Sequence, residues 1–317
     1  MPFHAQAVKQ NRIRFKFRFN LFSSLSIPFL LVLLLFVLLP FFFIVFYSFA
    51  RTTDSRLYLT LDNFANFVSD VDFLKSLGLS LWFAFLTTIF TLLIGYPVAY
   101  FMAKSSPKVR NIINILITFP MWINMLLRTI AWKQILDDNG PIISILKMIG
   151  LNNVHIIGTD FAVVLGLVYV YLPFVIIPIY TGLVKIENSL LEASMDLGAN
   201  RHKSFVKVTL PLSIPGVISG ITMVFLPAAT TLVIPKYLGG GLARYRLIGN
   251  LIEDYFLKAN NYYAGSAIAV VLAIVILFMI YLVNKCDRTV VKEKKNHKGK
   301  KLTVEKGAKA WVKRINK

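Results

Sequence analysis

Charged side chains are scarce in this sequence, and that scarcity excludes most classes of soluble protein. Of the 317 residues, 16% are charged and 56% are hydrophobic, whereas a soluble globular domain carries roughly 25% charged residues. One soluble core cannot hold so large an apolar surplus. The composition therefore predicts a protein for which the lipid bilayer is the solvent.

Residues that bind metals or carry catalysis are also few. The chain has one cysteine, Cys286, and four scattered histidines, His4, His155, His202 and His297. A single cysteine forms no internal disulfide, and these residues do not have the spacing of a metal site. The stretch that ends in Lys203 and Ser204 imitates a P-loop, but His202 stands where that motif requires glycine. We therefore expect no catalytic residues, no metal, no cofactor and no ATP binding by this chain itself.

Basic residues, by contrast, are in excess, and they cluster at the two ends of the chain. The formal net charge is +20. Five basic residues precede position 25, and thirteen lie between positions 285 and 317 beside only three acids. Basic segments that flank apolar spans are typical of membrane proteins, in which they stay in the cytoplasm and attract anionic lipids. This distribution predicts contact with the lipid bilayer and not with nucleic acid.

Six segments are long and apolar enough to span a bilayer, which takes about 20 residues each. They are residues 25–49, 79–103, 111–132, 161–184, 214–235 and 264–284. The first is too long for the apolar region of a signal peptide and lacks a cleavage site, so we interpret it as a retained helix. Basic residues dominate the even-numbered loops, which predicts a multi-pass protein with both termini in the cytoplasm. The predicted fold class is an all-α membrane protein with six transmembrane helices.

Helix-breaking residues interrupt several of these spans. The pairs are Gly95 with Pro97, Pro173 with Pro178, and Pro227 with Pro235. Such breaks occur where neighbouring protein or water satisfies the backbone, so they fit a transport bundle and also ordinary bundle packing. Gly216 and Gly220 form a small-xxx-small pair, which predicts a close contact between helices.

The most informative loop covers residues 187–211. Ser189 and Glu192 have the spacing of a capping box, so a short helix should start there. Gly198 suits the left-handed position that ends a helix, and Asn200 is a good cap for a second short helix that runs towards Pro211. The loop therefore predicts two short helices joined by a hinge.

This loop resembles the EAA loop of binding-protein-dependent ABC importer permeases. It carries Glu192-Ala193-Ser194, then Gly198 after three residues, and Val208-Thr209-Leu210-Pro211 after nine more. Ser194 and Val208 replace the alanine and isoleucine of the family pattern. The resemblance implies that the loop couples the permease to an ATPase subunit through Glu192, Ala193, Ser194, Gly198, Val208, Leu210 and Pro211. A plainer role for Glu192, as a helix cap only, stays open.

The family resemblance implies the rest of the architecture as well. It covers residues 73–284 as a type-1 permease core. A basic tail at 1–24 and the first helix with its outer loop at 25–72 precede this core, and a basic tail at 285–317 follows it. The implied partners are ABC ATPase subunits, a second permease subunit and an extracytoplasmic substrate-binding protein, at a bacterial inner membrane.

More narrowly, the chain resembles the B permease subunit of spermidine/putrescine importers. The stretches that carry this resemblance are residues 119–128, 166–174, 192–198 and 247–250. It implies polyamine transport, and the alternative is an importer of the same class for thiamine, iron, phosphonate or another small solute. A membrane-embedded enzyme would need an acid–base or metal site that the spans lack. A passive channel would not need an EAA loop.

Residues of the third and fourth spans are candidates for a substrate path. Asn124 and Arg128 lie four apart, on one face of the third span, with Trp122 nearby, and ionisable residues inside a membrane usually mark a pathway or an interior pair. Tyr169 and Tyr171 add aromatic faces, which attract alkylammonium groups. The alternatives are an Arg128 that snorkels to the outer surface and a Trp122 of the interfacial belt. No carboxylate lies deep in a span, so a partner permease would have to supply the charge that a polyamine needs.

Overall fold

The computed structural model describes residues 27–53, 56–151, 153–283 and 285, and these residues are mostly helical. The predictions for the basic tails and for Cys286 fall outside the described residues, apart from position 285. The described residues fall into two compact units, which divide between Phe46 and Tyr47.

The described part of the first unit is helical throughout. It comprises α1 (Ile27–Leu33), a π-helical turn (Leu34–Leu38) and most of α2 (Leu39–Phe49). Nearly every side chain from Phe29 to Phe43 is apolar and exposed. Such a surface suits a helix that faces lipid, because only an apolar solvent tolerates it.

The second unit contains a two-stranded sheet and the remaining helices. Strands β1 (Ala50–Thr53) and β2 (Arg56–Leu59) are antiparallel, with Ala50 opposite Leu59. The first six helices are α3 (Asp62–Ser69), α4 (Val71–Lys104), α5 (Pro107–Thr118), α6 (Met125–Leu136), α7 (Pro141–Met148) and α8 (Asp160–Val184). The next six are α9 (Asn188–Asp196), α10 (Arg201–Ser204), α11 (Leu210–Thr230), α12 (Val233–Leu238), α13 (Ile248–Glu253) and α14 (Tyr262–Val283).

Helices α4, α8 and α11 pack against one another and form the centre of this unit. Phe83 of α4 and Val224 of α11 are among its fully buried side chains. Gly216 and Gly220 both lie against α8, and a methyl group on Gly216 would lie 2.8 Å from Pro178 O. The predicted close contact at this glycine pair is confirmed.

Five helices of the described chain are long and apolar enough to cross a membrane. They are Pro28–Phe49, Val71–Lys104, Asp160–Val184, Arg201–Thr230 and Tyr262–Val283. A sixth candidate is a pair of segments, Pro107–Trp122 and Met125–Met148, with a bend of 96° between them. The described residues thus contain six candidate spans when the bent pair counts as one.

The third span is not the continuous helix predicted for residues 111–132. Helix α5 ends in a 3₁₀ turn that contains Pro120, and the chain is extended at Ile123 before α6 begins. Proline removes a backbone donor and its ring crowds the preceding turn. Asn124 then caps α6 by accepting a hydrogen bond from Leu126 N at 2.8 Å. The sequence hides this break because both halves are apolar.

The fifth span also differs from the predicted segment 214–235. Helix α10, a π turn and α11 form one helix of 30 residues (Arg201–Thr230), so the second short helix of the loop does not end near Pro211. In the π turn, Leu210 N–H donates to Phe205 O. This wider turn accommodates Pro211, which has no N–H and would crowd a regular turn. The chain then breaks for two residues before α12.

Candidate functional site

The loop between α8 and α11 begins with a short helix, as predicted, but the cap of that helix differs. Helix α9 begins at Asn188, and Glu187 occupies its N-cap with an extended backbone. The Ser189 hydroxyl lies inside the first turn and donates to Glu187 Oε2 at 3.2 Å. The predicted capping box between Ser189 and Glu192 is therefore wrong.

Gly198 ends α9 in a Schellman motif. Its φ of +83° is left-handed. Gly198 N–H donates to Met195 O at 2.9 Å, and Ala199 N–H donates to Ser194 O at 3.1 Å. These bonds satisfy carbonyls that a helix end leaves free, and the predicted helix end is confirmed. A methyl group on Gly198 would meet no described atom within 4 Å, so only the backbone conformation restricts this position.

Side-chain hydrogen bonds fix α10 and hold it against α9. Asn200 Oδ1 accepts from Lys203 N at 2.8 Å and caps α10, as predicted. Ser194 Oγ and Ser204 Oγ lie 2.7 Å apart, and Ser204 is only 4% exposed. The third residue of the Glu192-Ala193-Ser194 stretch thus joins the two short helices.

The outward face of this loop is exposed and partly apolar. Glu192 and Ala193 are exposed, and Leu197 at the end of α9 is 89% exposed. Farther along the loop, Val208 and Pro211 are half-buried and Leu210 is exposed. Ser194 and Gly198 therefore shape the loop, whereas Glu192, Ala193 and Leu197 are available to a protein partner.

Inside the bundle, polar side chains meet where α6, α8 and α12 pack together. Tyr171 of α8 is 7% exposed, and its hydroxyl donates to Pro227 O at 3.1 Å. Arg128, from α6, lies near this hydroxyl. Arg128 Nε and Nη1 are shielded from solvent, and neither has a hydrogen-bond partner in the described part of the chain. The guanidinium is therefore not simply extended into water, as snorkelling would require.

The break between α11 and α12 adds two more unpaired groups. Asn250 Nδ2 donates to Leu232 O at 2.8 Å, which satisfies a carbonyl near the break. Asn250 Oδ1 is buried and has no hydrogen-bond partner among the described residues, and Thr231 Oγ1 is buried beside the Tyr171 hydroxyl but outside ordinary hydrogen-bond geometry. Each such group costs about 1–3 kcal/mol. We call Arg128, Tyr171, Thr231 and Asn250 the polar cluster.

Sequence reasoning assigned no role to Thr231 or Asn250. Asn250 stands in the stretch 247–250 that resembles the family, which was its only signal. No sequence signal marked Thr231, because its position beside Tyr171 depends on where the fifth span breaks.

The other predicted path residues do not join the polar cluster. Trp122 lies in the 3₁₀ turn at the bend and is 84% exposed. Asn124 caps α6 one turn before Arg128, so the predicted continuous span around these two residues is wrong. The Tyr169 ring packs edge-on against Trp132, with centroids 5.3 Å apart. Of the five candidates, the structure brings together Arg128 and Tyr171.

Ion pairs hold the segment that carries Asn250. Asp254 pairs with both Arg246 and Lys258 at 2.6 Å, and Lys236 Nζ lies 2.9 Å from Glu253 Oε1. Burial alone would raise the pKa of Asp254. The hydrogen bonds and charges of Lys258 and Arg246 outweigh burial and hold this pKa below its usual range.

Tyr245 fastens the same segment to the start of α8. Its hydroxyl donates to Asp160 Oδ1 at 2.6 Å. Burial, and next the hydrogen bond to this carboxylate, raise the pKa of Tyr245 to about 12. The phenol therefore stays neutral and keeps donating at physiological pH.

Residues 95–291 match the protein family described as binding-protein-dependent transport system inner membrane component. The spermidine/putrescine transport system permease protein PotB of Haemophilus influenzae is 37% identical over 261 residues, which cover 80% of this chain and 90% of that protein. The protein of the same name from Escherichia coli K12 is 35% identical over 266 residues, which cover 82% of this chain and 96% of that protein.

Solved structures share the fold. A bacterial ABC transporter involved in the import of the acidic polysaccharide alginate aligns with a TM-score of 0.72 at 17% identity, over 84% of this chain and 95% of that one. The alginate transporter in complex with its pentasaccharide-bound periplasmic protein gives the same TM-score. This multi-pass membrane protein belongs to the family of binding-protein-dependent transport system inner membrane components.

Proposed function

We propose that this chain is a transmembrane permease subunit of an ATP-driven importer of polyamines, spermidine or putrescine. The main support is the 35–37% identity to spermidine/putrescine permeases along 80–82% of this chain. This similarity extends beyond the loop through the spans that would contact the cargo. The proposed partners are ABC ATPase subunits, a second permease subunit and an extracytoplasmic substrate-binding protein. Both termini and the loop 187–211 face the cytoplasm in this proposal, as the basic loops favour.

The loop at 187–211 is the proposed contact with the ATPase. Glu192 and Ala193 meet the ATPase directly, and exposed Leu197 supplies apolar area. Ser194 and Gly198 set the angle of α9 through the hydrogen bonds described above. Val208, Leu210 and Pro211 form the turn that continues the loop into the fifth span.

The helix Arg201–Thr230 carries the motion of this loop to the spans. Its 30 residues make a rod about 45 Å long. The rod begins at the loop, where Ser204 meets Ser194, and ends at the break beside the polar cluster. When the ATPase subunits close and displace α9, the break therefore moves with it, and Thr231 shifts against Tyr171.

The polar cluster is the proposed cargo contact, and Arg128 sets its charge. Helix α8 beyond Asp160 and the helix Arg201–Thr230 contain no Asp or Glu, and a guanidinium repels a polyamine. The second permease subunit therefore has to supply carboxylates, which pair with Arg128 while the path holds no cargo. A polyamine displaces Arg128 from these carboxylates, and the return of Arg128 releases the polyamine.

Uptake of labelled spermidine, in cells with and without this chain, tests the proposed cargo. We expect uptake that requires the chain, stops on ATP depletion and is reduced by excess unlabelled putrescine. Excess thiamine, a ferric complex or a phosphonate should leave it unchanged. Uptake of one of these three in place of spermidine would overturn the polyamine assignment within the same importer class. Uptake that continues without ATP would contradict the ATP-driven mechanism.

A further inference from the structure

A groove of about 550 Å³ opens between the first turns of α4 and the segment before α13. We call it the Lys75 groove. Lys75, Arg244 and Arg246 supply its positive charges, and Asp72 is the carboxylate in its lining. Gly78, Leu79 and Trp82 continue the same wall along α4. None of these residues belongs to the coupling loop or the polar cluster.

The basic residues of the groove have hydrogen-bond donors that no described residue uses. Lys75 is exposed, and its Nζ has no hydrogen-bond or ion-pair partner within the described residues. Arg244 Nη2 donates to Gly158 O at 2.6 Å, and Arg246 Nη2 pairs with Asp254 at 2.6 Å. Each guanidinium carries five N–H donors, so each keeps further donors for an anion.

The other end of the groove is apolar and lies deeper along the helix. Lys75, Leu79 and Trp82 follow one another at intervals of four and three residues, so they share one face of α4. Seven residues of helix place Trp82 about 10 Å beyond Lys75. The Trp82 side chain is 52% exposed and its ring stacks on Phe85. Tryptophan at this depth, next to a basic end, is typical of a membrane interface.

Gly78 keeps the middle of the groove open. Glycine inside a helix is less stable than alanine, so a glycine there usually marks a place where helices pack closely. Gly95 and Gly216 are such places, because a methyl group on either would lie within 3.0 Å of α8. A methyl group on Gly78 would meet no described atom within 4 Å. Gly78 therefore leaves open space in the middle of the groove.

We infer that the Lys75 groove binds an anionic phospholipid, with the phosphodiester at Lys75, Arg244 and Arg246 and an acyl chain along Leu79 and Trp82. An anion alone would not need the apolar wall, and an apolar chain alone would not need the unpaired Lys75 beside two arginines with donors left over. Because Leu251 lines the groove as well, the lipid contacts the helix that carries Asn250 of the polar cluster. This inference holds whichever solute the transporter carries.

Lipid titration of the purified transporter complex, followed by native mass spectrometry, tests the inference. We expect phosphatidylglycerol to bind more tightly than phosphatidylcholine, and diacylglycerol and inorganic phosphate to bind weakly. Lys75→Gln should weaken phosphatidylglycerol about five-fold, the equivalent of about 1 kcal/mol for one basic residue near anionic lipid. Lys133→Gln, which removes an exposed lysine of another helix, is the matched control and should change nothing.

Filling the groove gives a second test that removes no charge. Gly78→Phe should block phosphatidylglycerol, whereas Gly78→Ala should retain it, since alanine adds helix propensity without filling the space. Unchanged phosphatidylglycerol binding in Lys75→Gln and Gly78→Phe would overturn the inference. So would equal binding of inorganic phosphate, which would mean a simple anion site. In a third outcome, the substrate-binding protein fails to stimulate the ATPase activity of both variants while they bind lipid normally. That result would assign the groove to a protein partner.

Discussion

Gly198 ends α9, and in the proposed coupling it sets the angle of that helix. Its left-handed backbone carries both Schellman hydrogen bonds, and the space around it is open. We expect Gly198→Val to uncouple transport, because a left-handed backbone strains a residue with a Cβ by about 1–2 kcal/mol and a branched one most. At about 1.4 kcal/mol per decade, cargo-stimulated ATPase activity should fall about five- to thirty-fold. ATPase assays and co-purification of the ATPase measure this.

Gly198→Asn is the matched control for that experiment. Asparagine tolerates the left-handed region better than other residues with a side chain, so it should keep most of the coupling. Equal coupling in Gly198→Val and the parent complex would remove the proposed role of this glycine in setting the angle of α9.

Arg128 is the residue that tests the charge balance of the polar cluster. A unit charge about 8 Å away, at an effective dielectric constant of about 20, contributes about 2 kcal/mol. Removing a repulsive charge should strengthen polyamine binding and slow its release. We therefore expect Arg128→Gln to lower the KM for spermidine by about three- to thirty-fold and to lower the maximal rate as well. Initial-rate uptake measurements separate the two effects.

Arg128→Lys keeps the charge and should stay close to the parent KM. A higher KM in Arg128→Gln would mean that the guanidinium holds the cargo or orients its site, which contradicts the proposed exchange of partners. The structure motivates this test because Arg128 Nε and Nη1 are buried without an acceptor in the described chain.

The sequence predicted how α9 ends and how α10 begins, but it did not predict which distant helices meet. Gly198 and Asn200 act within a few residues of themselves, and both were predicted correctly. The bend of the third span was missed because the segments on both sides of Pro120 are apolar. Asn250 reaches Leu232, next to Thr231, only after distant segments have packed, so no local pattern could join Thr231 and Asn250.

The contact between α8 and α11 yields a prediction about stability. A methyl group on Gly216 would lie 2.8 Å from Pro178 O, a backbone atom that cannot move aside alone. We expect Gly216→Ala to destabilise the complex by about 1–3 kcal/mol, as for other overpacked cores. The thermal midpoint of the purified complex should fall in this variant and not in Gly78→Ala. Equal midpoints in Gly216→Ala and the parent would show that the helices adjust without cost.

The ion-paired segment that precedes α14 predicts how stability depends on pH. Asp254 has a lowered pKa, so its contribution is fully present above its ordinary value of 3.8 and is lost as the pH falls through the lowered pKa. Tyr245 has a raised pKa, so its contribution is lost as the pH rises from 10.0 to about 12. The thermal midpoint should therefore decline at both extremes. In Arg246→Gln less of the lowering of the Asp254 pKa remains, so the acid decline should be smaller and should end at a higher pH, whereas Lys133→Gln should follow the parent. An unchanged acid profile in Arg246→Gln would contradict this assignment.

At the scale of the whole molecule, composition and loop charge were enough to predict the class of protein. The six candidate spans and the family match confirm the membrane fold. Orientation is a separate matter, because it depends on the basic residues of short loops. The structure of one chain does not distinguish the cytoplasmic end of a spanning helix from its outer end.

Cysteine labelling tests the proposed orientation. In a Cys286→Ser background, single cysteines at Ser189 and Asn139 are well placed, because both positions are exposed and lie in loops on opposite sides of the proposed membrane. A membrane-impermeant maleimide should label Asn139→Cys in intact cells and should label Ser189→Cys only after the cells are opened. The basic loop around Ser189 motivates this expectation, since Lys and Arg are retained in the cytoplasm. Labelling of Ser189→Cys but not of Asn139→Cys in intact cells would invert the topology. The coupling loop would then face away from any cytoplasmic ATPase, and the proposed mechanism would fail with it.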